Sequence, residues 1–155
     1  MPEVPENLAE LLEFFDLLSD RADQIDALTS FAERLEPVPE SIAQRPYPES
    51  HRVPNCESQV YVWAEARENS TLKFHFAVEN PQGITAMASA VILDEGLTGV
   101  DPQDVARIDP ELILRFFRGE LSVRKSVGLL EMVNTVRRLA IDYLSTGQTG
   151  RGPDS

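Results

Sequence analysis

The chain has 155 residues, 42% of them apolar, and a formal net charge of −12. That length suits one domain with a real core, and the acidic balance argues against a nucleic-acid partner, whose phosphates need clustered Lys and Arg. One cysteine and two histidines allow no internal disulfide and make a zinc or iron ligand set improbable.

Leu8, Leu11, Leu12, Phe15 and Leu18 recur at helical spacing between Glu10, Glu13 and Asp16, which predicts an amphipathic helix lying on the core. Ser19-Asp20 supplies a cap for a second helix. Its buried stripe is expected at Ala22, Ile25, Leu28, Ala32 and Leu35, with Phe31 alongside, and Glu36-Pro37 ends it. From Pro37 to Pro54 the repeated prolines predict an extended surface crossover, pinned to the core by Ile42, Tyr47 and Val53.

Residues 58–67 then alternate, with Val60, Val62 and Ala64 on one face and Tyr61, Trp63 and Glu65 on the other. Residues 71–79 set Leu72, Phe74, Phe76 and Val78 against Lys73, His75 and Ala77 in the same way. Joined by Glu68-Asn69-Ser70, the two runs predict an antiparallel hairpin with His75 exposed; a third short strand stays open. Asn80-Pro81 reads as a helix start, opening a nearly continuous apolar helix through Ala86 to about Glu95. Asp101-Pro102 and Asp109-Pro110 predict two short helices, the second carrying Leu112, Ile113, Phe116 and Phe117. Gly119 separates these from Ser122, which caps a long final helix with a stripe at Leu129, Val133, Val136, Ala140 and Tyr143.

The fold class is therefore α+β, a small antiparallel sheet covered by helices. A single domain is expected over residues 1–144, with a disordered tail at 145–155. No apolar run approaches the roughly 18 residues a membrane span takes. The opening Met1-Pro2-Glu3-Val4-Pro5-Glu6 is acidic where a secretory leader is basic. A cytoplasmic, bacterial protein without a membrane partner is expected, an organelle origin with a cleaved leader staying open.

The chemistry-bearing candidate is Cys56, within the stretch His51–Val60 where the proline-rich crossover meets the first strand. A buried free cysteine usually behaves as a small hydrophobe, and that reading stands beside a working thiol. Asn55 and Glu57 suit a loop tip. His51, Arg52 and Arg45 favour a thiolate, while Glu57 opposes it. A cysteine hydrolase needs a histidine base with an orienting partner, and neither His75 on a strand nor His51 beside the thiol signals one. No Gly-rich phosphate loop is present.

Arg52-Val53-Pro54-Asn55-Cys56-Glu57-Ser58-Gln59-Val60 resembles the signature of the SufE family of sulfur-acceptor proteins, approximately R-V-x-G-C-Q-S-Q-V before a Trp-containing strand. The likeness continues at Leu17-Leu18-Ser19-Asp20-Arg21 with Glu33-Arg34-Leu35, and at Leu97-Thr98-Gly99 with Asp104-Val105. Leu121-Ser122, Ser126 and Gly128-Leu129 match the family's L-[ST]-P-S-R-S-x-G-L. The resemblance implies a SufE/IscU-like fold without a cofactor, and a PLP-dependent cysteine desulfurase as partner. The thiolate of Cys56 would take the terminal sulfur of that enzyme's persulfide, stimulate its turnover, and pass the sulfur to an iron–sulfur cluster scaffold.

On this resemblance the protein is an accessory persulfide carrier rather than an enzyme, with His51, Arg52, Asn55, Glu57, Lys125 and Arg124 as supporting residues. Asn55 stands where the family has Gly, Glu57 where it has Gln, and Val123 where it has Pro. Lys125 aligns with the family's arginine, with Arg124 one position away. Asn55-Cys56 keeps a turn that needs positive φ within reach, because Asn tolerates it better than most residues. The runner-up is a SufE-like interaction or regulatory module without sulfur transfer, and a cysteine-dependent hydrolase is the outsider. A persulfide is short-lived in water, so the thiol is expected to be shielded near Val53 or Val60 until the loop moves against a partner.

Overall fold

The computed structural model describes residues 4–118 and 121–147. Two helices, α1 (Glu6–Asp16) and α2 (Arg21–Glu33), precede the hairpin of β1 (Val60–Ala66) and β2 (Leu72–Val78). After it come α3 (Ile84–Leu97), α4 (Pro102–Ala106), a 3-10 helix (Pro110–Phe117) and the long α5 (Val123–Thr146).

Four of the five helix-start signals act as expected, Ser122 among them, its side chain accepting from the Lys125 N–H. Asp20, Asp101 and Asp109 each accept a hydrogen bond from the N–H two residues on, at Ala22, Gln103 and Glu111, and Pro102 and Pro110 open the elements behind the last two. Asn80 behaves differently. Its side chain accepts from the Gln82 N–H in a tight turn, and α3 begins only at Ile84, behind Gly83. An Asx side chain stabilises such a turn as readily as a helix cap.

The inward face of α2 is also turned from the expected one. Ile25 is 48% exposed and Ala22 is exposed, while Gln24 is buried. Its Nε2 donates to the Phe116 carbonyl at 2.9 Å, so a polar side chain satisfies the last turn of the 3-10 helix from inside the core. Arg118 closes α1 in a similar way, donating to the carbonyls of Phe15 and Leu18.

In the sheet Val60 lies opposite Val78 and Ala66 opposite Leu72. Val60, Val62, Ala64, Leu72, Phe74 and Phe76 face the main core with α1, α3 and α5. The other face is not left to solvent. Tyr61, Trp63 and Ala77 form a second, smaller core with Val38, Ile42, Ala43 and Tyr47 of the crossover. His75 lies under the same roof, its side chain 10% exposed and its Nε2 2.8 Å from Glu65 Oε1, which corrects the exposed position expected for it. Among the described residues no third strand forms; Arg52 makes an isolated bridge to Tyr61 instead.

Every residue of α3 from Ala88 to Leu93 is buried, as its nearly continuous apolarity requires. The final helix reaches Thr146, past the expected boundary at Leu144, and closes on Gly147 at φ 74°. Gly119 and the rest of the expected tail, 148–155, lie outside the described residues. No described helix is long and apolar enough to cross a membrane.

Candidate functional site

The stretch from Val53 to Gln59 is a closed loop ahead of β1. Val53 N–H donates to the Val60 carbonyl at 2.8 Å and Gln59 N–H to the Cys56 carbonyl at 3.3 Å. On its far side Ser58 and Gln59 accept from the N–H groups of Asn80 and Glu79, which ties the loop to the end of β2. Asn55 and Gln59 both adopt left-handed backbone, with φ of 59° and 54°. These two bends turn the Cys56 side chain inward, so that the residue is only 9% exposed and belongs to the main core.

Burial is the chief influence on the thiol and pushes its pKa up. A backbone hydrogen bond from Ser58 opposes the rise, the Glu57 carboxylate adds to it, and Arg52 pulls weakly the other way. The net direction is upward, so the free protein holds a neutral thiol at neutral pH.

Two depressions meet at Cys56. The larger, about 990 Å³, is walled by Arg52, Pro54, Asn55, Val123 and Val127. The smaller, about 390 Å³, lies toward the start of α3 and is walled by Ser58, Asn80, Gly83, Ile84, Lys125 and Gly128. Cys56, Glu57 and Arg124 border both. The first turn of α5 reaches the loop because Ser122 caps the helix there, its Oγ accepting the Lys125 N–H at 3.2 Å. Arg124 Nη1 lies 3.5 Å from Glu57 Oε1, and Arg52 Nη1 lies 3.6 Å from Glu49 Oε2. Exposed pairs at these distances contribute little stability but set the local charge.

The structure therefore gathers Arg52, Asn55, Glu57, Arg124 and Lys125 around Cys56. It leaves His51 out. The His51 Nδ1 is 2.9 Å from the Val62 carbonyl oxygen and its ring stacks on Trp63 at 5.4 Å, and it borders neither depression. Arg45, also expected near the thiol, is forked onto Glu79 at 2.9 and 3.0 Å and borders neither depression. With His75 bonded to Glu65, neither histidine stands ready as a base for Cys56. Among the described residues no group of three His, Cys, Asp or Glu side chains is placed to hold a metal ion.

Three residues of the site were not assigned to it from the sequence, although Val123 and Gly128 fall in the stretch that resembles the family motif. Val123 is 82% and Val127 39% exposed, one helical turn apart on the wall of the larger depression. Their spacing, off the buried stripe through Leu129 and Val133, was the available signal. Gly128 faces the thiol, and its signal was a glycine placed inside a helix.

The family model described as "SufE: Fe-S metabolism associated domain" matches residues 9–140. A Plasmodium vivax protein named cysteine desulfuration protein SufE is 22% identical over 143 residues, which are 91% of this chain and 55% of that protein. An uncharacterized SufE-like protein of Synechocystis is 26% identical over 112 residues, 71% of this chain and 64% of its own length. The chain thus spans less than two thirds of each of these curated relatives. A solution structure of a hypothetical protein from Thermus thermophilus superposes with a TM-score of 0.72 at 26% identity, covering 93% of this chain and 100% of that one.

Proposed function

The chain belongs to the SufE family, associated with iron–sulfur metabolism, and from that premise we propose that it accepts sulfur from a PLP-dependent cysteine desulfurase on Cys56. The observation that carries this is the position of the chain's one cysteine. Its thiol is buried in the core yet borders two open depressions rather than a sealed interior. A purely packing cysteine has no need of a loop bent at both ends by non-glycine residues in left-handed conformation.

In the proposed step Cys56 gives up its proton and the thiolate attacks the terminal sulfur of the desulfurase's cysteine persulfide. A new S–S bond forms at Cys56 as the S–S bond of the donor breaks. The donor cysteine leaves as a thiolate and takes up a proton, so the exchange balances without an outside oxidant or reductant. The Ser58 hydrogen bond and Arg52 favour the anion, and Arg124 and Lys125, on the walls of the depressions, would add positive charge as the thiolate forms. Val123, Val127 and Pro54 form the apolar rim that a docked desulfurase would cover, and the loop would then swing the thiol outward. With no second cysteine in the sequence, the persulfide on Cys56 is not resolved within the chain. A second exchange then passes the sulfur to an iron–sulfur cluster scaffold.

The test is the turnover of a cysteine desulfurase on cysteine, read as alanine release with and without this protein. The acceptor reading predicts stimulation that disappears in Cys56→Ser. The thiol's upward-shifted pKa favours one other reading, a SufE-like regulatory module. That module would stimulate equally well as Cys56→Ser, and turnover indifferent to both proteins overturns the two readings together.

A further inference from the structure

Two glycines border the cysteine loop, and neither is there for its backbone angle. Among the described glycines only Gly99 and Gly147 have positive φ; Gly83 has φ −82° and Gly128 lies inside α5. Glycine within a helix weakens it relative to alanine, so the contact around Gly128 is the more informative feature. A β-carbon there would lie 3.3 Å from Cys56 Sγ, 3.5 Å from its Cα and 3.6 Å from its Cβ. At Gly83 a β-carbon would meet Ser58 Oγ at 2.9 Å. The loop is thus let down between two positions that carry no side chain, Ser58 over the residue before α3 and Cys56 over one within α5.

We propose that Gly128 is a positioning residue for the sulfur acceptor: its missing side chain sets how deep Cys56 Sγ sits between the loop and α5. The proposal rests on the acceptor reading for its purpose and on the contact geometry for its substance. At 3.3 Å a β-carbon at 128 obliges the sulfur to give by a few tenths of an ångström, and on this proposal it gives toward the depressions, where it is better hydrated and less protected. The charged groups around it stay as they are: Glu49, Arg52 and Glu57 on the approach and the loop, Arg124 and Lys125 on α5. The stretch from Asn80 to Ala86 brings no charge. Any change in the thiol's titration then reports depth rather than a new neighbour.

The experiment uses the full chain without a desulfurase. Iodoacetamide alkylation of Cys56 is followed against pH in the wild type and in Gly128→Ala. Positioning predicts a midpoint lowered by about one pH unit and, below it, about tenfold faster alkylation. Thermal unfolding of Gly128→Ala is compared in the wild-type and Cys56→Ala backgrounds. Removing the sulfur should relieve the conflict, so that the alanine raises the Tm only in Cys56→Ala. If Gly128→Ala alone does not fold, recovery of folding in the double variant supports the proposal, and failure in both backgrounds overturns it. An unchanged alkylation profile in folded Gly128→Ala, or the same Tm change in both backgrounds, also overturns it. Neither readout involves a persulfide, so a negative result here is separate from a failure of the acceptor reading.

Discussion

The crossover at residues 37–48 and the cysteine loop at residues 53–59 are both irregular, both contain proline, and both lie against the same hairpin. The crossover is held by side chains. Tyr47 packs 5.3 Å from Tyr61 and 5.0 Å from Trp63, and Arg45 forks onto Glu79. The cysteine loop turns only Val53 and Cys56 into the main core and is otherwise held by backbone hydrogen bonds at its base and far side, while Pro54, Asn55 and Glu57 stay exposed. A connection that commits its aromatic rings to the sheet acts as a wall. One fastened through its main chain keeps its side chains available for a partner, which is where binding and reaction are expected on a rigid scaffold.

If this contrast is right, damage to the wall and damage to the loop have different signatures. The largest effect should come from Trp63→Ala, which empties the centre of the outer core and costs about 3–5 kcal/mol in urea unfolding. Alkylation of Cys56 in the folded fraction should stay near the wild-type rate; an equal acceleration would show the two faces to be coupled. Asn55→Val comes next, because a β-branched residue is poorly suited to φ 59°. It should cost about 1–2 kcal/mol and, unlike Trp63→Ala, make the thiol react faster.

Glu57→Gln is a smaller perturbation. Stability should stay within about 0.5 kcal/mol, since the Arg124 contact is exposed, while the alkylation midpoint falls because a carboxylate that raises the thiol's pKa is gone. An unchanged midpoint would remove Glu57 from the electrostatic account. The smallest effect is a pH slope. Folding raises the Cys56 pKa, so the stability it contributes is full below the unfolded thiol's pKa of about 8.5 and is lost as pH rises through the folded value. Chemical denaturation at increasing alkaline pH should show this decline in the wild type, and Cys56→Ser should lack that increment.

Much of the architecture was legible because its determinants are local. Alternation placed both strands, and the Asp20, Asp101 and Asp109 caps marked three starts that hold. What escaped depends on contacts distant in sequence. Gln24 turns inward for a carbonyl at Phe116, and His75 is covered because the crossover folds back over it, neither of which a local period records. In the site, Cys56 and its sequence neighbours were readable from the motif. His51 was drawn away by Trp63 and the Val62 carbonyl. Gly128 stood in the motif, but its contact with Cys56 became visible only once α5 was laid beside the loop.

The decisive observation is the mass of the peptide carrying Cys56 after the protein is incubated with a cysteine desulfurase and cysteine, then trapped by alkylation. The account predicts a gain of one sulfur atom on Cys56, removed by reductant and absent without the desulfurase. A Cys56 peptide that never gains sulfur, while the desulfurase itself demonstrably carries a persulfide, would contradict it.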